Sequence, residues 1–414
     1  MQTCRCTDKP LNEWYGIQTD YHPQTNNIGR VTTIDLTDVT GISGTADFRG
    51  MSKLEVLKLG NVDAEFYPEL LKHITSINVS GCNQLRALNC RNCNTSTLEI
   101  SGCNSLVTLM LHDNLLTELD LAGCPNLETL FCINNQITYF DFSKTPEMRH
   151  LVIGENPYTN LDVSMLTKLD YFHFGGENMT AAPIMSQLNQ TLTGLSCDGA
   201  NINEINLSIL PNLKSLDIVN TNIRYLDLSQ TPQIEELWIM QNPISSLDIS
   251  KLTILKTLDI RDNPQLSTLK TSVFPELEKA ILSGDTKLNA LELPNCKSLK
   301  ILDAHHNGIA YLNVSGCEKL ETLGCHDNKI QSINMSYCPS LQYVSGGNNK
   351  LESLNITGTD NIGNLGNYLL KIVQVDADGY QKFDFPSWGE YDKDKYLAPA
   401  FKNGRQYPRY IIVQ

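Results

Sequence analysis

The sequence is short of positive charge and has no long apolar run, and each shortage removes a class of function. Thirty-two Lys and Arg face 46 Asp and Glu, a formal net charge of −14, which opposes contact with a phosphate backbone or an anionic membrane face. Nucleic acid is therefore not an expected partner. Nowhere do 18 apolar residues follow one another, so no transmembrane helix is expected. Met1-Gln2-Thr3-Cys4-Arg5-Cys6 offers no apolar core for a signal peptide, and the chain reads either as cytosolic or as a mature form freed of its export signal. Catalytic grammar is missing too: there is no G-x-S-x-G, no H-E-x-x-H and no phosphate-binding glycine loop. Charged residues make up 19% of a chain that is 41% hydrophobic over 414 residues, which excludes disorder and supplies a large core.

What is present is a repeat. A 21-residue period is clearest in Ser105 to Pro125 (SLVTLMLHDNLLTELDLAGCP) and Asn126 to Pro146 (NLETLFCINNQITYFDFSKTP). Fourteen units follow end to end, from Leu54 (with an insertion before Asn83) through Gln84, Ser105, Asn126, Glu147, Lys168, Thr191, Asn212, Gln233, Ile254, Glu276, Ser298, Lys319 and Ser340. The Lys168 unit has 23 residues and those at Ile254 and Glu276 have 22. Within a unit the pattern is L-x-x-L-x-L-x-x-N-x-L, as in Leu106, Leu109, Leu111, Asn114 and Leu116, followed by L-D-L-S and a small residue. The L-x-L alternation has period two and describes a short strand with leucines on one side. One such strand cannot bury its apolar side alone, but units stacked in register make a parallel sheet over a continuous core. The Asn falls where the strand turns away, placed to pair with backbone groups of neighbouring turns. Asn114, Asn135, Asn156, Asn242, Asn263, Asn307, Asn328 and Asn349 hold that position, Asp285 nearly so, while Cys93, Glu177, Ala200 and Thr221 depart from it. Three departures in consecutive units predict an irregular stretch between about Gly175 and Asn222.

This pattern closely resembles the leucine-rich repeat family over residues 54–360. The resemblance implies an α/β-class solenoid, a right-handed curved superhelix with a parallel β-sheet on its concave face, between an N-terminal cap (residues 1–53) and a C-terminal cap (residues 361–414). Outside the sheet, 21 residues leave room for turns, short extended pieces or 3₁₀ turns. Trp14-Tyr15-Gly16-Ile17 with the stretch Gly29 to Leu36 is similar to the family's N-terminal cap, although Cys4 and Cys6 have no cysteine closely following Trp14. The insertion Ala64 to His73 is expected to form one short helix. The aromatic-rich tail, with Tyr368, Phe383, Trp388 and Tyr410 among its rings, is expected to pack over the last coil. Its Asp376-Ala377-Asp378-Gly379 matches the start of a calcium loop but has Ser387 where a bidentate Glu belongs.

The candidate functional residues lie on the outward strand positions. Register places His112, His150, His173, His305, His306 and His326 there, six of the eight histidines. Met110, Phe131, Ile133, Val152 and Tyr171 join His173 in the N-terminal half, and Trp238 with Met240 stands beside Asp217, Asp259 and Arg261 farther on. Exposed aromatics and Met on a sheet face suit a protein or peptide hot spot. His305, His306 and His326, with Asp303 and Asp327 alongside, are a candidate grip for a divalent metal. The 13 cysteines are mostly core: Cys82, Cys103, Cys124, Cys296, Cys317 and Cys338 take the small slot after L-D-L-S, as small hydrophobes. Matches to N-x-S/T at Asn313, Asn334 and Asn355 are repeat grammar, Asn standing for Asp. The sequence thus reads as a non-enzymatic module that binds a protein or peptide partner on the concave face and needs no cofactor. Similarity to bacterial secreted or surface proteins of the internalin-like kind implies an extracellular or cell-surface location and a role in adhesion or host contact. The alternative is recognition of a small ligand, glycan or metal at the histidine cluster.

Overall fold

The computed structural model describes residues 16–20, 30–60, 71–188, 190–284, 287–355, 357–359, 400–402 and 405–407. They belong to two compact units, Met1–Asn201 and Ile202–Gln414. In the first unit the L-x-L elements form the strands Val56–Lys58, Ala87–Asn89, Thr108–Met110, Thr129–Phe131, His150–Val152, Tyr171–Gly175 and Gly194–Asp198, each parallel to the next and in register. In the second, Ser215–Val219, Glu236–Met240, Thr257–Asp259, Lys279–Ile281, Ile301–Asp303, Thr322–Gly324 and Tyr343–Ser345 do the same. Both units are parallel β-solenoids. The central residue of each three-residue strand, such as Leu109, Leu130, Leu151, Leu258 or Leu323, is fully buried, because the period-two pleat turns it toward the core of the turn.

A second set of short strands lies on the other side of the turns. Ser43–Asp47, His73–Asn78 and Thr97–Glu99 pair in the first unit, and Ala290–Glu292, Tyr311–Asn313, Ser332–Asn334 and Ser353–Asn355 in the second. The α/β expectation is corrected here: among the described residues there is no helix of any kind. Where the second strand is present, two short strands and the corners between them use up the unit; in units such as those at Ser105 and Asn126 turns and extended chain take its place. The corners are tight turns in series, as where Cys82 N–H donates to Val79 and Leu85 N–H to Cys82, both at 3.0 Å. The recurring acid of L-D-L-S makes one corner: Oδ1 of Asp120, Asp141 and Asp162 accepts the N–H two residues on, each at 2.9 Å. Asn313, Asn334 and Asn355 make the same turn at 3.1 Å, which explains why N-x-S/T recurs there.

The Asn position closes the front sheet. Asn114 Nδ2 donates to Cys90 O and Leu111 O at 2.9 Å, and its Oδ1 accepts Thr95 N–H at 2.9 Å. Asn135, Asn156, Asn242, Asn263, Asn328 and Asn349 each donate to a carbonyl 24 residues earlier and accept an N–H of the preceding turn. Asn307 donates likewise to Leu282 O, 25 residues back, at 2.7 Å. The small slot is more than hydrophobic filling. Cys103, Cys317 and Cys338 point their thiols at Val79 O, Leu293 O and Val314 O, 3.1–3.2 Å away and one turn back, and Thr359 makes the equivalent bond to Met335 O. Burial pushes the Cys103 and Cys338 thiols up to about 11 and Cys124 to about 12, so these sulfurs stay protonated donors.

The stretch where the Asn pattern fails is distinct. Tyr171–Gly175, Gly194–Asp198, Ser215–Val219 and Glu236–Met240 have five residues where most front strands have three. With Glu177 in place of Asn, the buried Tyr158 hydroxyl takes over, bonding Gly175 O at 3.3 Å and accepting Gly175 N–H at 3.2 Å. Ile17–Thr19 runs antiparallel to Val31–Asp35, itself parallel to Val56–Lys58. Gly16 is obligatory there, since its φ is +74° and a Cβ would meet Asp35 O at 1.9 Å. Trp14, Cys4, Cys6, Asp285, the insertion from Ala64 to Leu70 and the tail from Asn361 to Pro399, with its calcium-like loop, lie outside the described residues. Leu71 and Lys72 are not helical, and His73 opens a strand.

Candidate functional site

Outward side chains on parallel in-register strands form rows, one member per turn, about 5 Å apart. In the first unit Met110 pairs with Phe131, Phe131 with Val152 and Val152 with His173, so one row runs Met110-Phe131-Val152-His173. Val152 is only 6% exposed although it points outward; its row neighbours cover it. Beside this row, His112 and Ile133 occupy the next outward position. The His112 ring lies 5.4 Å from that of Phe131, and its Nδ1 accepts Ile133 N–H at 3.2 Å, which fixes the neutral tautomer with Nε2 protonated. Burial lowers the pKa of both His112 and His173, consistent with imidazoles that serve as apolar surface.

Tyr171 stands two residues before His173, on the same face of the strand, and is exposed. Its ring lies over Gly194 on the next strand, where a Cβ would meet Cδ2 at 2.6 Å. His150, paired with Tyr171, reaches Asp170 at 3.1 Å. The sequence reading did not single out Gly194 or Asp170; an outward glycine opposite an aromatic was the available signal for the first. Met110 also lines a cleft of about 440 Å³ with Leu57, Lys58, Leu88 and Arg91, so the row opens at that end onto a concavity of mixed apolar and cationic lining.

In the second unit the half-buried Trp238 lies between Asp217 and Asp259 on the two adjoining strands. Asp259 is 4% exposed. Burial raises its pKa against the pull of Arg261, whose guanidinium is 2.9 Å from it. Arg261 Nε also lies 3.4 Å from Met240 Sδ. An indole set between Asp217 and the Arg261-paired Asp259 and bordered by a thioether is an apolar anchor in a polar frame.

The histidine group also sits in the second unit. His305 and His326 follow the paired strands Ile301–Asp303 and Thr322–Gly324, and their rings stack 4.7 Å apart with an interplanar angle of 4°. His306 is not on the strand as the register reading had it. It occupies the left-handed turn that follows (φ 53°), a place held by Asp262, Asp327 and Asn348 in other turns. Its ring is nevertheless 4.9 Å from His305 and 5.5 Å from His326.

No protein-family model matches this sequence, and no curated protein does. Among solved structures, the chain is similar to the functional domain of InlJ from Listeria monocytogenes, which includes a cysteine ladder, with a TM-score of 0.50, 26% identity, and coverage of 69% of this chain and 70% of that one. A leucine-rich repeat protein of Leptospira interrogans gives 0.49 at 19% identity, covering 73% and 86%. An internalin of Listeria monocytogenes, InlF, gives 0.41 at 16%, covering 79% and 86%.

Proposed function

We propose that this chain, an internalin-like leucine-rich repeat protein by its repeat grammar and fold, is a non-enzymatic module that binds a protein partner on the outward face of its long strands. The observation that carries this reading is the continuous row Met110-Phe131-Val152-His173, held in register and left without any covering element of its own among the described residues. Apolar clusters on a soluble surface mark interaction sites, and Phe, Tyr, Trp and Met are the side chains over-represented at interface centres. Ile133 and Tyr171 widen the row in the first unit. Trp238 and Met240 offer a second anchor, and the indole face suits an Arg or Lys of the partner. The described cysteines are buried, and Cys103, Cys317 and Cys338 point their thiols at backbone carbonyls, which supports a structural role for them. Placement of this face on the concave side, export to the bacterial surface and a role in adhesion extend the same reading.

The test is capture from host-cell surface extract and from the source organism's envelope, followed by titration of the captured partner. We expect Phe131→Ala, Tyr171→Ala and Trp238→Ala each to weaken the partner about 10- to 100-fold, the effect of truncating a hot spot by roughly 1–3 kcal/mol. Circular dichroism of each variant should match the parent. Binding unchanged in all three variants would rule this face out.

A further inference from the structure

We propose that His305, His306 and His326 form a binding site for a zinc-class divalent cation on the second unit. The site stands on its own geometry and does not depend on the partner-binding reading. Among the described residues, these three are the one group of ligand-type side chains whose donor atoms converge, all within 4.8 Å of one another.

The arrangement around the rings is what separates a ligand set from three surface histidines. A metal-ligating imidazole gives one nitrogen to the metal and is oriented by a hydrogen bond from the other to a carboxylate, a hydroxyl or a carbonyl. Here every Nδ1 is already engaged. His305 Nδ1 bonds Asp303 Oδ1, His306 Nδ1 lies 3.2 Å from Asp327 Oδ2, and His326 Nδ1 meets Ser345 Oγ at 3.3 Å. Three different turns supply those oxygens, so each ring has an oxygen beside one nitrogen and a second nitrogen with which to bind. The Asp327 carboxylate, also 3.8 Å from His326 Nε2 and held through Oδ1 by Asn348, supplies negative charge beside the would-be cation.

The three ring centroids lie 4.7–5.5 Å apart, close enough for one ion to be shared among them. A tetrahedral zinc at roughly 2.0–2.1 Å spaces its nitrogens about 3.3 Å apart, so the rings must close by about 1.5 Å. His306, with 61% of its side chain exposed, is free to make most of that movement. Three nitrogens of this kind prefer zinc, nickel or copper to the oxygen-seeking calcium and magnesium. A fourth position remains for water or a partner's side chain.

The experiment uses the untagged full chain, stripped with chelator and titrated with zinc chloride against a chromophoric competitor. One zinc per chain, with a dissociation constant on the order of 1 μM or below, is the expected result, with no competition from millimolar calcium or magnesium. His305→Ala and His326→Ala should weaken it about 100-fold or more, and Asp303→Asn, which removes the carboxylate that orients His305, about 10- to 100-fold. His150→Ala, a histidine elsewhere on the sheet, should leave it unchanged. Far-UV circular dichroism of each variant confirms that the outward substitutions keep the fold. No zinc bound beyond the competitor, equal binding in the His305 and His326 variants, or displacement by calcium would each overturn the assignment.

Discussion

At the residue scale the fold depends on side chains whose value lies in bonds to other turns. Asn263 is 1% exposed, donates to Ile239 O and Ile260 O at 2.7 and 2.6 Å, and accepts Asn242 N–H at 3.0 Å. Replacing it with Ala strands three buried backbone groups, each costing roughly 1 kcal/mol or more when unpaired. We expect Asn263→Ala to lose about 3 kcal/mol in urea unfolding. Asn126→Ala, which removes one exposed bond to Asn104 O, should lose about 0.5 kcal/mol. Similar losses in the two variants would mean that the ladder asparagines are not a special class. His173 makes a prediction of opposite character, because burial lowers its pKa below 6.5. As pH falls through about 6.5, the unfolded chain takes up this proton while the folded chain does not. Stability therefore declines from that pH downward until the folded imidazole also titrates, with His112 adding to the effect in the same direction. His173→Gln should flatten part of the slope in unfolding curves recorded between pH 7 and 5. A slope identical to the parent's would assign the acid sensitivity to other groups.

At the element scale, the front strands were legible because a half-buried strand writes its alternation into four or five residues, and Leu109 or Leu258 has no other reading once the period is seen. The parallel order followed from the repeat alone. That the outer side of a repeat has no helix was legible in its 21-residue length. The second strand row was not, because its members, such as Thr97–Glu99 and Ser332–Asn334, carry only one inward residue between polar neighbours and so give a weak periodic signal. The unit at Lys168 showed through its length and through Glu177, but Tyr158, which replaces the missing amide, lies 19 positions earlier in the chain, and no local pattern links the two. The candidate sites divide in the same way. Rows of outward side chains follow directly from register, so Met110, Phe131, Val152 and His173 could be aligned on paper. What turned His305 and His326 into a stacked pair with engaged Nδ1 atoms was the placement of Asp303 and Ser345, and the Ser345 contact comes from a turn beyond both histidines. The thiol bonds of the small slot were hidden because cysteine there is as consistent with plain burial as with donation.

At the scale of the whole molecule, stacked units interact chiefly with their neighbours, so stability is close to a sum over turns and interfaces. That has a consequence an ordinary globular domain does not share. Deleting one complete unit, Asn126–Pro146, joins Pro125 to Glu147 at equivalent points of the repeat and brings Thr108–Met110 beside His150–Val152. The leucines keep their layer, and Asn156, which now donates to Cys132 O, finds Leu111 O one period back instead. We expect this deletion to fold cooperatively with a melting temperature lower by on the order of 5 °C. Deleting only residues 126–136 removes half a turn, puts polar positions into the leucine layer and should abolish folding. The whole-unit deletion also removes Phe131 and Ile133 while leaving the histidine group untouched. It should therefore lose the captured partner and keep zinc binding, both read on the same purified protein. A whole-unit deletion that fails to fold, with loss of the circular dichroism signal, would show that the turns are not interchangeable and that the stretch around Phe131 has a structural role which the row of outward side chains does not describe.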